Sequence, residues 1–93
     1  MPEVIFHIRW PDGVEEQCYS PSTIIHQHLS AGQSYPLDDF VARARAGLIE
    51  ASDRVAAKYG FACSSAMDQL ARIETKARRY TQNGARVICL SLQ

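Results

Sequence analysis

The sequence predicts an α+β fold with the order β-β-α-α-α-β: a three-stranded sheet in the order 2-1-3, with helices packed on one face. Three observations point there. Apolar residues alternate with period two near both termini. Between those segments they recur every three or four positions over two long stretches. The 93 residues, 46% of them hydrophobic, suffice for one small core and a single domain over residues 1–93.

The first strand is Val4-Ile5-Phe6-His7-Ile8-Arg9-Trp10, with Val4, Phe6, Ile8 and Trp10 on one face and Ile5, His7 and Arg9 on the other. Pro11-Asp12-Gly13 then reads as a three-residue hairpin loop. Proline presets φ, Asp suits the second position, and Gly accepts the left-handed third. This loop pairs Trp10 with Val14, Arg9 with Glu15, Ile8 with Glu16 and Phe6 with Cys18, which places Val14 and Cys18 with the apolar face and gives Arg9 an opposite charge. A two-residue loop would pair His7 with Cys18, but it would also put Glu15 and Gln17 on the apolar face. Even in the preferred register, Glu16 stands opposite Ile8 on that face.

Ser20-Pro21-Ser22-Thr23 ends the second strand, and Ser20 or Ser22 can cap a short helix over Ile24–Leu29. Residues 30–36 read as a loop. A long helix follows from Leu37 to Tyr59, with its stripe at Phe40/Val41, Ala44, Leu48, Ala51/Ser52, Val55 and Tyr59. Asp38 and Asp39 suit the positive end of its dipole. Gly60 is placed as its left-handed stop, with Phe61 as the hydrophobic contact beyond. The next helix starts near Ser64 or Ser65, where Ser65 and Asp68 approximate a capping box, and Met67, Leu70, Ile73, Ala77 and Tyr80 form its stripe. After a turn at Gln82-Asn83-Gly84, Arg86–Leu92 reads as the last strand. Ile88, Leu90 and Leu92 are expected on its core face, and Val87 and Cys89 on the other. Ile5, His7, Val87 and Cys89 would then form an apolar outer patch, a candidate interface with a second copy or a partner.

Composition narrows the function classes. No apolar run approaches the roughly 20 residues of a membrane span, and no charged-then-apolar leader opens the chain. Three separated cysteines, Cys18, Cys63 and Cys89, are neither a disulfide framework nor a zinc site. A cytoplasmic protein off the membrane is the expectation. Charge is balanced overall but divided: residues 1–40 hold one base (Arg9) against six acids, while residues 41–93 hold nine bases against four acids. The simpler reading is two faces of one fold attracting each other; the other is a dipolar surface that orients a partner. Nucleic acid is disfavoured, since it would want net positive charge and exposed aromatics.

Several residues invite chemistry. His26 and His28 are two apart, which does not share a helical face, and even with His7 they lack a recognisable ligand spacing, so no metal is assigned. Cys63 stands just before a helix start, where the dipole favours a thiolate, although Phe61-Ala62-Cys63 also reads as a plug between helices. Ser20 and Ser22 lie near His26, but capping explains both. Arg43 and Arg45, with Arg72, Lys76 and Arg79, could converge on an anion or remain a solvated face. Gly47 is a lone helix glycine, suited to a close crossing. No catalytic constellation and no cofactor motif emerge.

Four segments taken together are more specific than any one. Arg9-Trp10-Pro11-Asp12-Gly13, Cys18-Tyr19-Ser20-Pro21-Ser22, Tyr35-Pro36-Leu37 with Asp39-Phe40, and Lys58-Tyr59-Gly60-Phe61-Ala62-Cys63-Ser64 occur in that order. In order and spacing they resemble a bacterial nitrogen starvation response family of proteins of about this length. The resemblance implies a gene cluster with a nitrilase, a radical SAM enzyme, an acetyltransferase and a flavoprotein, associated with nitrogen scavenging and cyanide assimilation. It carries over no catalytic residue. Trp10, Tyr19 and Cys63 are the members whose chemistry exceeds turns and caps, and with Arg43 they form the candidate ligand or partner site. The resulting expectation is a non-enzymatic accessory protein that binds a pathway enzyme or a second copy. The alternative is a small ligand-binding protein or enzyme using Cys63 with Tyr19 or a histidine.

Overall fold

In the computed structural model, which describes residues 3–61, 64–80 and 83–93, the chain opens with the expected hairpin. Strand β1 (Val4–Arg9) and strand β2 (Glu15–Ser20) pair antiparallel, with Arg9 opposite Glu15, Ile8 opposite Glu16 and Phe6 opposite Cys18. The loop closes as its residues dictate, although Val14, expected with the apolar face, is 47% exposed where the chain leaves the turn. Gly13 at φ 87 donates its N–H to the Trp10 carbonyl at 2.9 Å, and Trp10 donates to the Val14 carbonyl at 2.8 Å. The Asp12 carboxylate accepts the Val14 N–H at 3.1 Å, and that bond holds its carboxyl below the ordinary range.

The rest of the order is a 3₁₀ segment (Thr23–Gln27), β3 (Ser34–Pro36), α1 (Leu37–Tyr59), α2 (Ser64–Ala77) and β4 (Arg86–Leu92). The sheet runs β2-β1-β4-β3 and is antiparallel throughout. The last strand therefore lies beside the first, as in the expected 2-1-3 order, but the sheet has four strands rather than three. The added one is β3, a three-residue strand whose length is below that at which alternation can be read. Its partner makes it: Cys89 donates its N–H to the Gln33 carbonyl at 2.9 Å, and the Arg86 guanidinium donates to the Ser34 hydroxyl at 2.8 Å and carbonyl at 3.0 Å. Among the described residues two α-helices, not three, complete the layer. The short helix expected at Ile24–Leu29 is a 3₁₀ segment, capped by the Ser22 hydroxyl on the Ile24 N–H.

A second correction concerns the faces of β4. Val87 and Cys89, expected outside, are both 0% exposed. Cys89 stands opposite Ile8, a core residue, so it shares the core face. The pairing then shifts between His7 and Ile8, so that Ser91 meets His7 and Leu92 meets Phe6. This bulge gives β4 one extra residue, which returns Leu92 to the core and leaves Ile88 and Leu90 on the outer face. Of the expected outer patch, only Ile5 and His7 are outside; Val87 and Cys89 are core.

The helices follow their stripes except at Tyr59, which is 46% exposed, and at Met67, which is 36% exposed. In α1, Phe40, Ala44, Leu48, Ala51 and Val55 are buried, and Gly60 at φ 85 ends the helix with its N–H on the Ala56 carbonyl. Phe61, expected to pack at that stop, is 70% exposed. In α2 the buried residues are Ala66, Gln69, Leu70 and Ile73, and Met67 lies outside the stripe. Because α2 already begins at Ser64, Ser65 sits inside it and does not form the expected capping box. The expected junction at Ala62-Cys63, the candidate Cys63 itself and Gln82 lie outside the described residues.

Gly47 marks the close crossing that a lone helix glycine suggests. A Cβ there would lie 2.6 Å from Ile25 Cδ1 and 3.3 Å from the His28 ring. Alanine would gain about 1 kcal/mol of helix propensity, which offsets much of that clash. A Gly47→Val change keeps little of this gain and overpacks the site, so it is expected to destabilise by about 1–3 kcal/mol. Urea unfolding of the two variants should give near-wild-type stability for Gly47→Ala and a clear loss for Gly47→Val.

Candidate functional site

Trp10 was a candidate for ligand or partner contact, but it is 1% exposed and serves the interior. Its indole N–H donates to Glu16 Oε1 at 3.0 Å. Its ring stacks on Tyr80 at 5.7 Å and meets Phe40 edge-on at 5.9 Å. Glu16, anomalous opposite Ile8, is thus the acceptor that a buried indole needs. Burial, together with the neighbouring Asp12 carboxylate, pushes the Tyr80 phenol up to about 12.

Tyr19 lies at the free edge of β2, opposite Ile5 across the hairpin. Its backbone N–H donates to Gln69 Oε1 at 3.0 Å, so α2 reaches over the strand edge at this point. Here a groove of about 270 Å³ is lined by Tyr19, Ser65, Asp68, Gln69 and Arg72. A second, of about 390 Å³, continues through Arg72 to Glu16, Thr75, Lys76 and Arg79. Gln69 is 6% exposed, and among the described residues its Nε2 has no hydrogen-bond partner. Sequence reasoning missed this residue. Its signal was a polar side chain at a position in register with Ala66, Leu70 and Ile73.

Arg43 belongs to a different surface. It donates to Asp39 at 2.9 Å and to the His28 carbonyl at 3.1 Å, and its guanidinium lies 4.9 Å above the Tyr35 ring. Trp10, Tyr19 and Arg43 therefore occupy three separate environments. The histidines do not converge either. His7 lies 3.3 Å from Glu15, His28 lies 2.9 Å from Glu50, and His26 is exposed. Among the described residues no group of three or more His, Cys, Asp and Glu could hold a metal ion. Ser20 donates to the Ser22 carbonyl at 2.8 Å, which commits it to the turn.

Cys18 and Cys89 are buried thiols. Burial pushes both upward, and the Glu16 carboxylate adds to the effect at Cys18. This is the environment of an inert structural cysteine.

These features define a small two-layer α+β protein with shallow grooves along one strand edge, an apolar interior beneath one sheet face, and a second sheet face open to solvent. None of its described helices is long and apolar enough to cross a membrane. The chain belongs to the family described as nitrogen starvation-induced protein NitG, which it matches over residues 5–92. No curated protein and no solved structure matches it.

The Cys18 thiol carries a pH dependence. Because its folded pKa lies above the ordinary value of 9.0, the native state retains a proton that the unfolded chain loses. Its contribution is complete below pH 9 and is lost as pH rises beyond it, by up to about 1.4 kcal/mol per pH unit. Urea midpoints measured from pH 8 to pH 11 should fall more steeply for the native sequence than for Cys18→Ala. Parallel curves would show that the thiol has no such role.

Proposed function

We propose that this nitrogen starvation-induced protein is a non-enzymatic accessory factor of nitrogen scavenging. It acts in the cytoplasm by binding a protein partner: an enzyme of the same nitrilase-containing pathway, or a second copy of itself. Family membership supports the starvation role. The observation that carries the mode of action is the outer face of the sheet. Ile5, on an inner strand, is 40% exposed, and Ile88 and Leu90 lie half-buried on the same face. Tyr19 stands beside Ile5 across the strand pair. A sheet that buries only one face leaves such residues as a surface for another molecule. The reactive side chains support the same reading, since Cys18 and Cys89 serve packing, Ser20 and Ser22 the turn, and His28 a hydrogen bond with Glu50.

The test is native mass spectrometry of the protein purified from nitrogen-starved cells at low salt. A complex with a pathway enzyme, or a multiple of the chain mass, is expected. Ile5→Glu should weaken that complex at least tenfold while leaving the urea midpoint nearly unchanged, because the side chain is exposed. A monomer with nothing bound would overturn the proposal.

A further inference from the structure

Of the two strands at the ends of the sheet, only β2 offers a long edge. β3 has three residues and ends in Pro36, which lacks an N–H. β2 has six. The Trp10–Val14 hydrogen bond sets which β2 residues bond inward: Glu16, Cys18 and Ser20 face β1 in bonded pairs. The N–H and C=O groups of Glu15, Gln17 and Tyr19 are thereby aimed at the edge. At Tyr19 the Gln69 side-chain carbonyl takes the N–H, standing where the carbonyl of another strand would stand. Its Nε2 is buried without an acceptor among the described residues, a state that costs about 1–3 kcal/mol unless something supplies one.

Alongside this edge runs the basic face of α2. The two grooves joined at Arg72 follow β2 from Tyr19 to Glu16; Arg72, Lys76 and Arg79 line the second, and in the first Arg72 stands with Asp68. Among the described residues none of these three cations forms an ion pair. A strand edge with outward backbone groups beside a helix is the geometry in which an extended peptide adds to a sheet. Backbone bonds supply affinity in that mode, and alternate side chains meet the helix and set specificity. Here the helix presents positive charge.

We infer that the groove between β2 and α2 binds an extended acidic segment of a partner protein, which adds as a fifth strand. Its backbone pairs with Glu15 and Gln17, a carbonyl satisfies Gln69 Nε2, and carboxylates on alternate residues face Arg72, Lys76 and Arg79. This rests on the reading that the protein acts by binding a partner, and it names the surface and the chemistry recognised.

The test uses the full chain with a fluorescein-labelled hexapeptide of alternating Glu and Val, and with its Gln-Val counterpart. Saturable anisotropy is expected for the acidic peptide, with at least tenfold weaker binding for the neutral one and for Arg72→Glu with Lys76→Glu. Amide exchange at Glu15 and Gln17 should slow on binding. Gln17→Pro removes one edge N–H at a position where an edge strand tolerates proline, and it should weaken binding at least tenfold. If that variant fails to fold, N-methylation of the peptide at its pairing residues tests the same bonds. No binding at millimolar peptide, or binding insensitive to both N-methylation and the charge reversals, would overturn the inference. So would self-association that protects the Glu15 and Gln17 amides without peptide, since the occupant would then be a second copy. A cellular complex lost on Ile5→Glu, with no peptide bound, would remove this groove and leave the partner reading intact.

Discussion

The indole of Trp10 ties the molecule together. A large aromatic side chain with one obligatory donor can be buried only where an acceptor comes with it. Glu16 supplies that acceptor from the neighbouring strand, Phe40 packs against the ring from the first turn of α1, and Tyr80 stacks on it from just beyond α2. Four parts of the chain thereby meet on one side chain. The position of α2 across the β2 edge follows from that junction at one end and from the Gln69–Tyr19 bond at the other. Both polar contacts reach β2, which leaves a groove between strand and helix instead of a closed seam.

The β4 bulge decides what the other side of the sheet presents. By adding one residue opposite the His7–Ile8 step, it lets Val87, Cys89 and Leu92 all serve the core. The cost falls on the outer face, which receives Ile88 and Leu90. Core filling on one face and an apolar remainder on the other are thus two consequences of one local shift in register. The open face and the free β2 edge adjoin at Tyr19, so a partner seated on either would lie close to both.

Charge contributes less to the fold than its division along the sequence suggests. Arg9 pairs with Glu15 inside the acidic half, and Arg45 with Glu74 inside the basic half. Among the described residues only Arg43–Asp39 and His28–Glu50 join the two. Exposed pairs of this kind are worth about 0–1 kcal/mol each. The cations of α2 beside β2 are left over, and that surplus gives the groove its sign.

Local rules made much of this legible in the residues alone. Pro11-Asp12-Gly13 determined a turn type, the turn determined the register, and the register assigned Val4, Phe6, Ile8, Trp10 and Cys18 to the core. Helical periodicity and Gly60 likewise set both bounds of α1. These features depend on a few neighbouring residues, so the sequence contains all their terms. Tertiary structure alone decided the rest. Ser34–Pro36 becomes a strand only because β4 lies beside it, and Val87 and Cys89 turn inward only because Cys89 pairs with Ile8 ahead of a bulge. Glu16 and Gln69 look like errors of pattern until Trp10 and the Tyr19 N–H stand next to them. Each of these depends on a partner far away in the chain, and no local periodicity encodes which partner arrives.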